Sequence, residues 1–427
     1  MKASGTSAQN APKGPTGPLS GIRVIDLTTV VMGPSATQIL GDLGADVIKI
    51  EPAGGDSMRW IGPNRTDGMG PLYLQANRNK RSVVLDLKNA ADREALLSLL
   101  PEADVFVSNV RPQAMARLGL SYDAIAAVKP DIVYCLAVGY GSDGPNSGQA
   151  VYDDLTQAAS GIAGLFQAID GAPRYAPVNI CDRVVGLYLA ISIISALHHR
   201  AVTGEGQEIE VPMLETMAQF VLADHMGGGA FVPPIGSMGY KRLLSRVRGP
   251  YPTKDGAVAL VVYTDKHWRA FSVMVGEPDL LDTDERFRTQ ETRTQHSEDM
   301  GLYLREHLPQ KTTAEWIAAL RTADIPAHAV NRIEDLFDDP HLKAVKMFTE
   351  MEHPTEGTLK VPRFPVKFSK TPASIRCLAP NLGEHTDDIL PARAKQRAAK
   401  SENKSENESE TNSETKPDAN TKARTGS

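Results

Sequence analysis

One carboxylate, Asp182, stands at the head of the stretch from Pro177 to Arg200, PVNICDRVVGLYLAISIISALHHR. Behind it runs an apolar segment from Val184 to Leu197, interrupted only by Gly186, Tyr188, Ser192 and Ser195. A segment of that length falls short of the roughly 20 apolar residues needed to cross a bilayer. Apolar on nearly every side, it predicts a helix buried in the middle of a large core. Asp182 is expected just before the first turn, where the helix dipole and free backbone N–H groups favour a charged carboxylate. Two roles are open to it: an N-cap, stabilising by about 1 kcal/mol, or a carboxylate nucleophile held at the start of a buried helix.

Other residues could also do chemistry. Gly139-Tyr140-Gly141-Ser142-Asp143-Gly144 matches GxGxxG after a strand, but Pro145 to Gly148 follow in place of a helix. A dinucleotide fingerprint must open a helix within a strand–helix–strand unit, so a glycine loop lining a cleft is the expectation. Arg78, Lys80 and Arg81 cluster beside a strand entry, with Arg111, Arg117 and Lys129 further on. They form either a solvated basic face or a set of cations for a phosphorylated ligand. Cys181 in its apolar setting reads as inert core, and His198 and His199 as structural residues at a helix end.

Composition narrows the class. The chain has 427 residues, 41% hydrophobic and 23% charged, with a net charge of −6. There is no basic footprint for nucleic acid. Three cysteines form no CxxC pair and no zinc spacing, which fits a reducing, cytoplasmic setting and no metal. No secretory leader and no membrane span is expected. Residues 1–18 and 392–427 read as disordered tails, the second for its alternating charges and lack of aromatics.

The elements that must position Asp182 follow a simple rhythm. Strands are predicted at Gly21–Leu27, Ala45–Ile50, Ser82–Leu87, Ala103–Ser108, Asp131–Val138 and Gln207–Val211. Helices fall between them, one starting at Gly33-Pro34 with the proline in first place. This is the pattern of an open, doubly wound α/β sheet. Ligands bind beyond the carboxyl ends of such strands, so Thr29–Gly33, Asn109–Pro112 and Gly139–Asp154 are the candidate pocket walls. The expected layout is a large domain over 19–226, a Gly-, Pro- and Arg-rich linker or lid over 227–250, and a smaller α+β domain over 251–332. A return to the large domain follows over 333–391. The large domain is thus built from both chain ends.

Read together, the strings PLSGIRVIDLTTVVMGP, LGDLGADVIKIEP, GPLYLQANRNKRSVVLDLK, NVRPQAMARLGL, YDDLTQAASG, TGEGQEIEVPM and LGEHTDDIL resemble the class III CoA-transferases. The resemblance runs from about Leu19 to Leu390. It implies two subunits threaded through each other as a homodimer, and coenzyme A carried as an acyl-CoA co-substrate. Asp182 matches the family nucleophile in its Asp-x-x-x-Gly-like stretch. The resemblance places CoA contacts at Val31 and Met32, at Leu85, Asp86, Leu87 and Lys88, at Asn109, Val110, Arg111 and Arg117, and at Ala150, Val151, Tyr152 and Asp153. Val31 and Ala150 stand where the formyl-CoA:oxalate branch has glutamine and lysine.

The implied reaction moves CoA from an acyl-CoA donor to a carboxylic acid acceptor through aspartyl anhydride and aspartyl-CoA intermediates. Backbone N–H groups of Gly139 and Gly141 are candidate oxyanion donors. Arg242, Arg246 and Arg248 are candidate clamps for a dicarboxylate acceptor. The α-methylacyl-CoA racemases resemble the chain too, but they use a histidine where Tyr152 stands, and racemisation needs that second base. An inactive CoA-binding homologue is the third reading.

Overall fold

The structure is a computed structural model that describes residues 16–391. Apart from residues 16–18, the two expected tails lie outside the described residues. Six parallel strands form the main sheet: β1 (Arg23–Leu27), β2 (Asp46–Glu51), β3 (Lys80–Val84), β4 (Val105–Ser108), β5 (Val133–Val138) and β6 (Gln207–Pro212). Their order is β3-β2-β1-β4-β5-β6. β1 pairs with β2 on one side and β4 on the other, Val24 standing opposite Val47 and Val105. The winding direction reverses between β1 and β4, and connections leaving those two strands diverge and open a crevice.

Alternate residues of each strand feed two cores. Val24, Val105 and Cys135 face one side with Val185, Leu189 and Ile193 of a long helix. Ile25, Phe106 and Tyr134 face the other with Leu96 and Ile125. Every residue of β4 and β5 is buried, as parallel strands covered on both faces require.

The strand predicted at Ser82–Leu87 lies at Lys80–Val84. Lys80 is fully buried and its Nζ lies 3.1 Å from Asp26 Oδ2, so a charge occupies a core position that a hydrophobic pattern passes over. Its neighbours correct the phosphate-cation reading in the same way. Arg78 is paired with buried Asp42 at 2.6 Å, and Arg81 with Asp46 at 2.6 Å. These cations are occupied by carboxylates of the fold.

The long helix spans Ile180–Thr203 and ends on Gly204 in the left-handed conformation (φ 81°). By length and composition it would suffice to cross a membrane, yet one face packs on the helices Met32–Asp42 and Met213–His225. The other face is not covered: Leu187 is 52% and Ile191 60% exposed. This corrects the prediction of a helix buried all round. The helix Met32–Asp42 also begins before Gly33-Pro34, so Pro34 is its third residue.

Beyond residue 250 a three-stranded antiparallel sheet, β7 (Tyr251–Pro252), β8 (Ala257–Leu260) and β9 (Ala327–Ala329), packs with helices around its own core of Trp268, Phe271, Phe287 and Trp316. The predicted capping box of Thr312 and Glu315 opens the helix Thr313–Thr322. The last stretch lies against the edge of β3: Asn79 N donates to Cys377 O and Val84 N to Thr386 Oγ1, both at 3.0 Å. A covered edge has no free backbone groups to recruit another strand.

Candidate functional site

The crevice at the sheet's reversal point holds a cleft of about 390 Å³. Its walls are the segment after β1 (Thr29–Met32), the segment after β4 (Asn109–Pro112), the end of β5 with its loop (Ala137–Tyr140, then Ser147–Tyr152), and Asp182, Glu210 and Met213. The three strand-end segments singled out from the sequence therefore meet around one space.

The segment after β1 is held from two sides. Asn109 accepts from Thr29 N and donates to Thr29 O, each at 2.9 Å. Val30 has φ 72°, a conformation unfavourable for a β-branched residue, and its N–H is accepted by Asp56 Oδ1 at 3.1 Å. Asp56 is itself ion-paired with Lys49 at 2.9 Å, both fully buried, and Lys49 Nζ also donates to Thr28 O at 2.7 Å. Sequence reading missed Lys49 and Asp56. Lys49 sits inside the strand string DVIKIE, where a single lysine carries no motif.

Asp182 is the third residue of its helix, and Asn179 occupies the cap position. The cap role is thus corrected. The Asp182 amide donates to Asp153 Oδ1 at 3.0 Å, while Asp153 Oδ2 accepts from Gln157 Nε2 at 2.6 Å. Gln157 Oε1 accepts from Ala176 N at 2.8 Å, which ties the helix Asp153–Ala159 to the chain leading into the long helix. Among the described residues no donor reaches the Asp182 carboxylate, which is half-buried and faces the cleft. Burial, and after it the Asp153 carboxylate, push Asp182 up to about 6, against the pull of Arg183. A lowered value was expected from the helix start, but desolvation and a like charge outweigh the dipole here.

Val31, Met32, Asn109, Val110, Arg111, Gly139, Ala150, Val151 and Tyr152 line the cleft. Asp153 stands behind it as the partner of the Asp182 amide. Leu85 is buried in the core under the sheet; Leu87 packs at that core's margin, and Asp86, Lys88 and Arg117 are exposed away from the cleft lining. Gly141 is also outside the lining. Its N–H is accepted by Glu215 at 2.8 Å and that of Ser142 by Glu210 at 2.8 Å, so the oxyanion role expected of Gly141 meets an N–H already engaged. The GxGxxG string stays a loop as far as Tyr152. Arg242 and Arg248 line a second cavity in the small unit, and Arg246 Nε donates to Ile169 O at 2.7 Å. Within one chain, none of these arginines lines the Asp182 cleft. Burial, then the carboxylates nearby, push the Cys181 thiol up to about 12, so it stays protonated. Among the described residues no group of three or more His, Cys, Asp and Glu is placed to hold a metal ion.

The cleft suits the reacting end of an acyl thioester. Val30, Val31, Val110, Val138 and Val151 give apolar walls, Arg111 is the single cation of the lining, and a carboxylate without hydrogen-bond donors projects into it.

Comparison with known proteins agrees with that chemistry. CoA-transferase family III matches residues 19–386. The chain is 33% identical to the succinate–glutarate CoA-transferase of Agrobacterium fabrum over 87% of its length and 95% of that protein. It is 32% identical to the human succinyl-CoA:glutarate CoA-transferase over 87% of its length and 85% of that protein. A crystal structure of a CaiB/BaiF family protein from Brucella suis superposes with a TM-score of 0.75 at 31% identity, covering 89% of this chain and 99% of that one. With that match across most of its length, and with the cleft its sheet builds, the chain belongs to CoA-transferase family III and is an acyl-CoA:carboxylate CoA-transferase.

Proposed function

We propose that Asp182 is the covalent carrier of this transfer and that both exchanging acids are dicarboxylates. The observation that carries the first part is the Asp182 carboxylate itself: in the cleft, without a hydrogen-bond donor, and largely ionised above pH 6. The second part rests on relatives whose names include succinyl-CoA with glutarate, malate or mesaconate.

An Asp182 oxygen attacks the thioester carbonyl, a C–O bond forms, the C–S bond breaks, and a mixed anhydride is left on Asp182 with a thiolate beside it. Asp182 then receives that thiolate at its own side-chain carbonyl and releases the donor acid as a carboxylate. The resulting aspartyl thioester is attacked by the acceptor carboxylate, which gives a second anhydride. Return of the thiolate to the acceptor's acyl carbon frees Asp182 again. A covalent route divides one exchange into steps of similar energy. Val31, Met32, Val110 and Arg111 hold the thioester arm, and Gly139 stands at the reacting end.

The active form is a homodimer, interlocked as in the family resemblance. Leu187 and Ile191, exposed on the long helix, have the character of a covered interface.

Asp182→Ala is the direct test. The variant should fold and transfer no CoA from succinyl-CoA to glutarate, and hydroxylamine added during wild-type turnover should trap an aspartyl adduct at Asp182. Turnover by the variant would exclude the carrier role. Deuterium entering the α-carbon of a branched acyl-CoA in heavy water would instead point to racemisation.

A further inference from the structure

Two walls of the Asp182 cleft are joined by a polar bridge that lies outside the lining. Arg183 follows the carboxylate in the first turn of the long helix, and its amide donates to Asn179 O at 3.0 Å. Its guanidinium is committed to the neighbouring helix: Nη1 donates to Ser35 Oγ at 2.6 Å. Ser35 is buried, and its hydroxyl donates in turn to Val31 O at 2.7 Å. Gly186 is one turn beyond Arg183 on the same helix face. It brings that face so near that a Cβ on it would lie 2.9 Å from Met32 O and 3.6 Å from Ser35 Cβ.

Val31 O belongs to the segment after β1, where Val30 holds φ 72° and Val31 and Met32 line the cleft. Asp56 and Asn109 fasten that segment at Val30 N and Thr29 N. The Arg183–Ser35 bridge fastens it to the helix that carries Asp182. A hydrogen bond from a charged guanidinium is roughly twice as strong as one between neutral groups. Attack on a thioester requires the reacting atoms about 3 to 3.5 Å apart, and a misplacement of about 1 Å can cost on the order of 100-fold in rate. The bridge thus sits where small displacements count most.

We propose that Arg183 is a positioning residue for the transfer: through Ser35 it ties the turn bearing Asp182 to the Val31–Met32 wall, so that the carboxylate and the thioester carbonyl are held at attacking distance. The proposal rests on Asp182 as the carrier. The charge of Arg183 has a second, separable effect. The ionisable groups around Asp182 are Asp153 on the helix alongside, with Asp154 exposed beyond it, Arg183 on its own helix, and Glu210 and Arg111 on the cleft walls. The helix Met32–Asp42 carries one carboxylate, Asp42, paired with Arg78 at 2.6 Å, and Glu215 of the helix Met213–His225 accepts from Gly141 N. Burial keeps the thiols of Cys135 and Cys181 protonated. Burial first and Asp153 next push Asp182 up, and Arg183 is the cation that opposes them.

Steady-state transfer from succinyl-CoA to glutarate, measured across pH for Arg183→Met, Arg183→Lys and Ser35→Ala, tests the proposal. Arg183→Met should lower kcat by about 10- to 100-fold. KM for succinyl-CoA should stay within about threefold, the pattern of an interaction realised in the transition state. The acid limb of kcat/KM should move to higher pH, because a cation near the carboxylate is gone. Arg183→Lys should restore the limb and part of kcat. Ser35→Ala cuts the bridge and keeps the charge, so kcat should fall with no upward move of the limb. Arg183 is exposed, so its variants are expected to fold, and circular dichroism verifies all three. Hydrogen exchange over residues 28–36 should quicken when Arg183→Met or Ser35→Ala is placed in the Asp182→Asn protein, whichever residue carries CoA. Turnover by Asp182→Ala would therefore remove the carrier while exchange still reads the bridge. The positioning role is overturned if kcat is unchanged in Arg183→Met and Ser35→Ala, if only Arg183→Met lowers it, or if exchange over 28–36 does not respond.

Discussion

The amide nitrogen of Asp182 lies 3.0 Å from Oδ1 of Asp153, a residue 29 positions earlier in the chain. That one bond fixes the start of the long helix against the helix Asp153–Ala159 and brings a second carboxylate beside the proposed nucleophile. After burial, Asp153 is the next largest reason that Asp182 titrates near 6.

Transfer should therefore fall as the pH drops through about 6, because protonation removes the attacking lone pair. Asp153→Asn keeps an oxygen for the Asp182 amide and removes the neighbouring charge. The acid limb of kcat/KM should move to lower pH in that variant. A limb that stays in place would show that burial alone sets it.

Stability should depend on the same group with the opposite sense. The folded value lies above the unfolded one, so the folded state holds the proton more tightly between about pH 4 and 6, and stability is lost as pH rises through that window. Asp182→Asn should thus be more stable than the parent above pH 6, by about 2 to 3 kcal/mol. Urea denaturation at pH 4 and at pH 8 checks this: the gain should be confined to the higher pH.

Asp56 reaches the cleft without lining it. Its Oδ1 accepts from Val30 N and its Oδ2 from Lys49 Nζ. Asp56→Asn leaves the Lys49 ammonium without its charge partner in a fully buried place, which should destabilise the fold by about 3 kcal/mol. It should also raise KM for the acyl-CoA, because the amide keeps its oxygen on Val30 N only by turning its NH2 toward the Lys49 ammonium, which strains the anchor of the left-handed Val30. Denaturation curves and KM measured on the same preparation will separate the two effects.

Gly186 allows the long helix to approach the start of the helix Met32–Asp42. A Cβ there would lie 2.9 Å from Met32 O, so Gly186→Ala must move one backbone or the other. Overpacking of this kind typically destabilises by about 1 to 3 kcal/mol. The displaced segment carries Val31 and Met32, so the transfer rate should drop more than the melting temperature alone explains, a point for steady-state kinetics well below that temperature.

The uncovered face of the long helix gives a solution test. Leu187→Glu with Ile191→Glu places charges where a second copy is expected, and sedimentation velocity should find the dimer replaced by monomer. A parent protein that sediments as a monomer would remove the homodimer from the proposal.

The sequence by itself determined the parallel sheet, its strand-end loops and the position of Asp182. Strand and helix periodicities are local, and the strings that resemble the family are contiguous. The pocket wall expected over Gly139–Asp154 runs at its end into the helix Asp153–Ala159, although Asp153 and Asp154 in its first turn are a helix-start signal. Only the tertiary structure decided which charges meet. Lys80 finds Asp26 across 54 positions and Arg78 finds Asp42 across 36, turning expected ligand cations into buried parts of the fold. It likewise decided that Asp182 titrates near 6 and that half of an apolar helix faces outward, because desolvation and pair distances depend on what packs alongside, and residues far apart in the chain supply it.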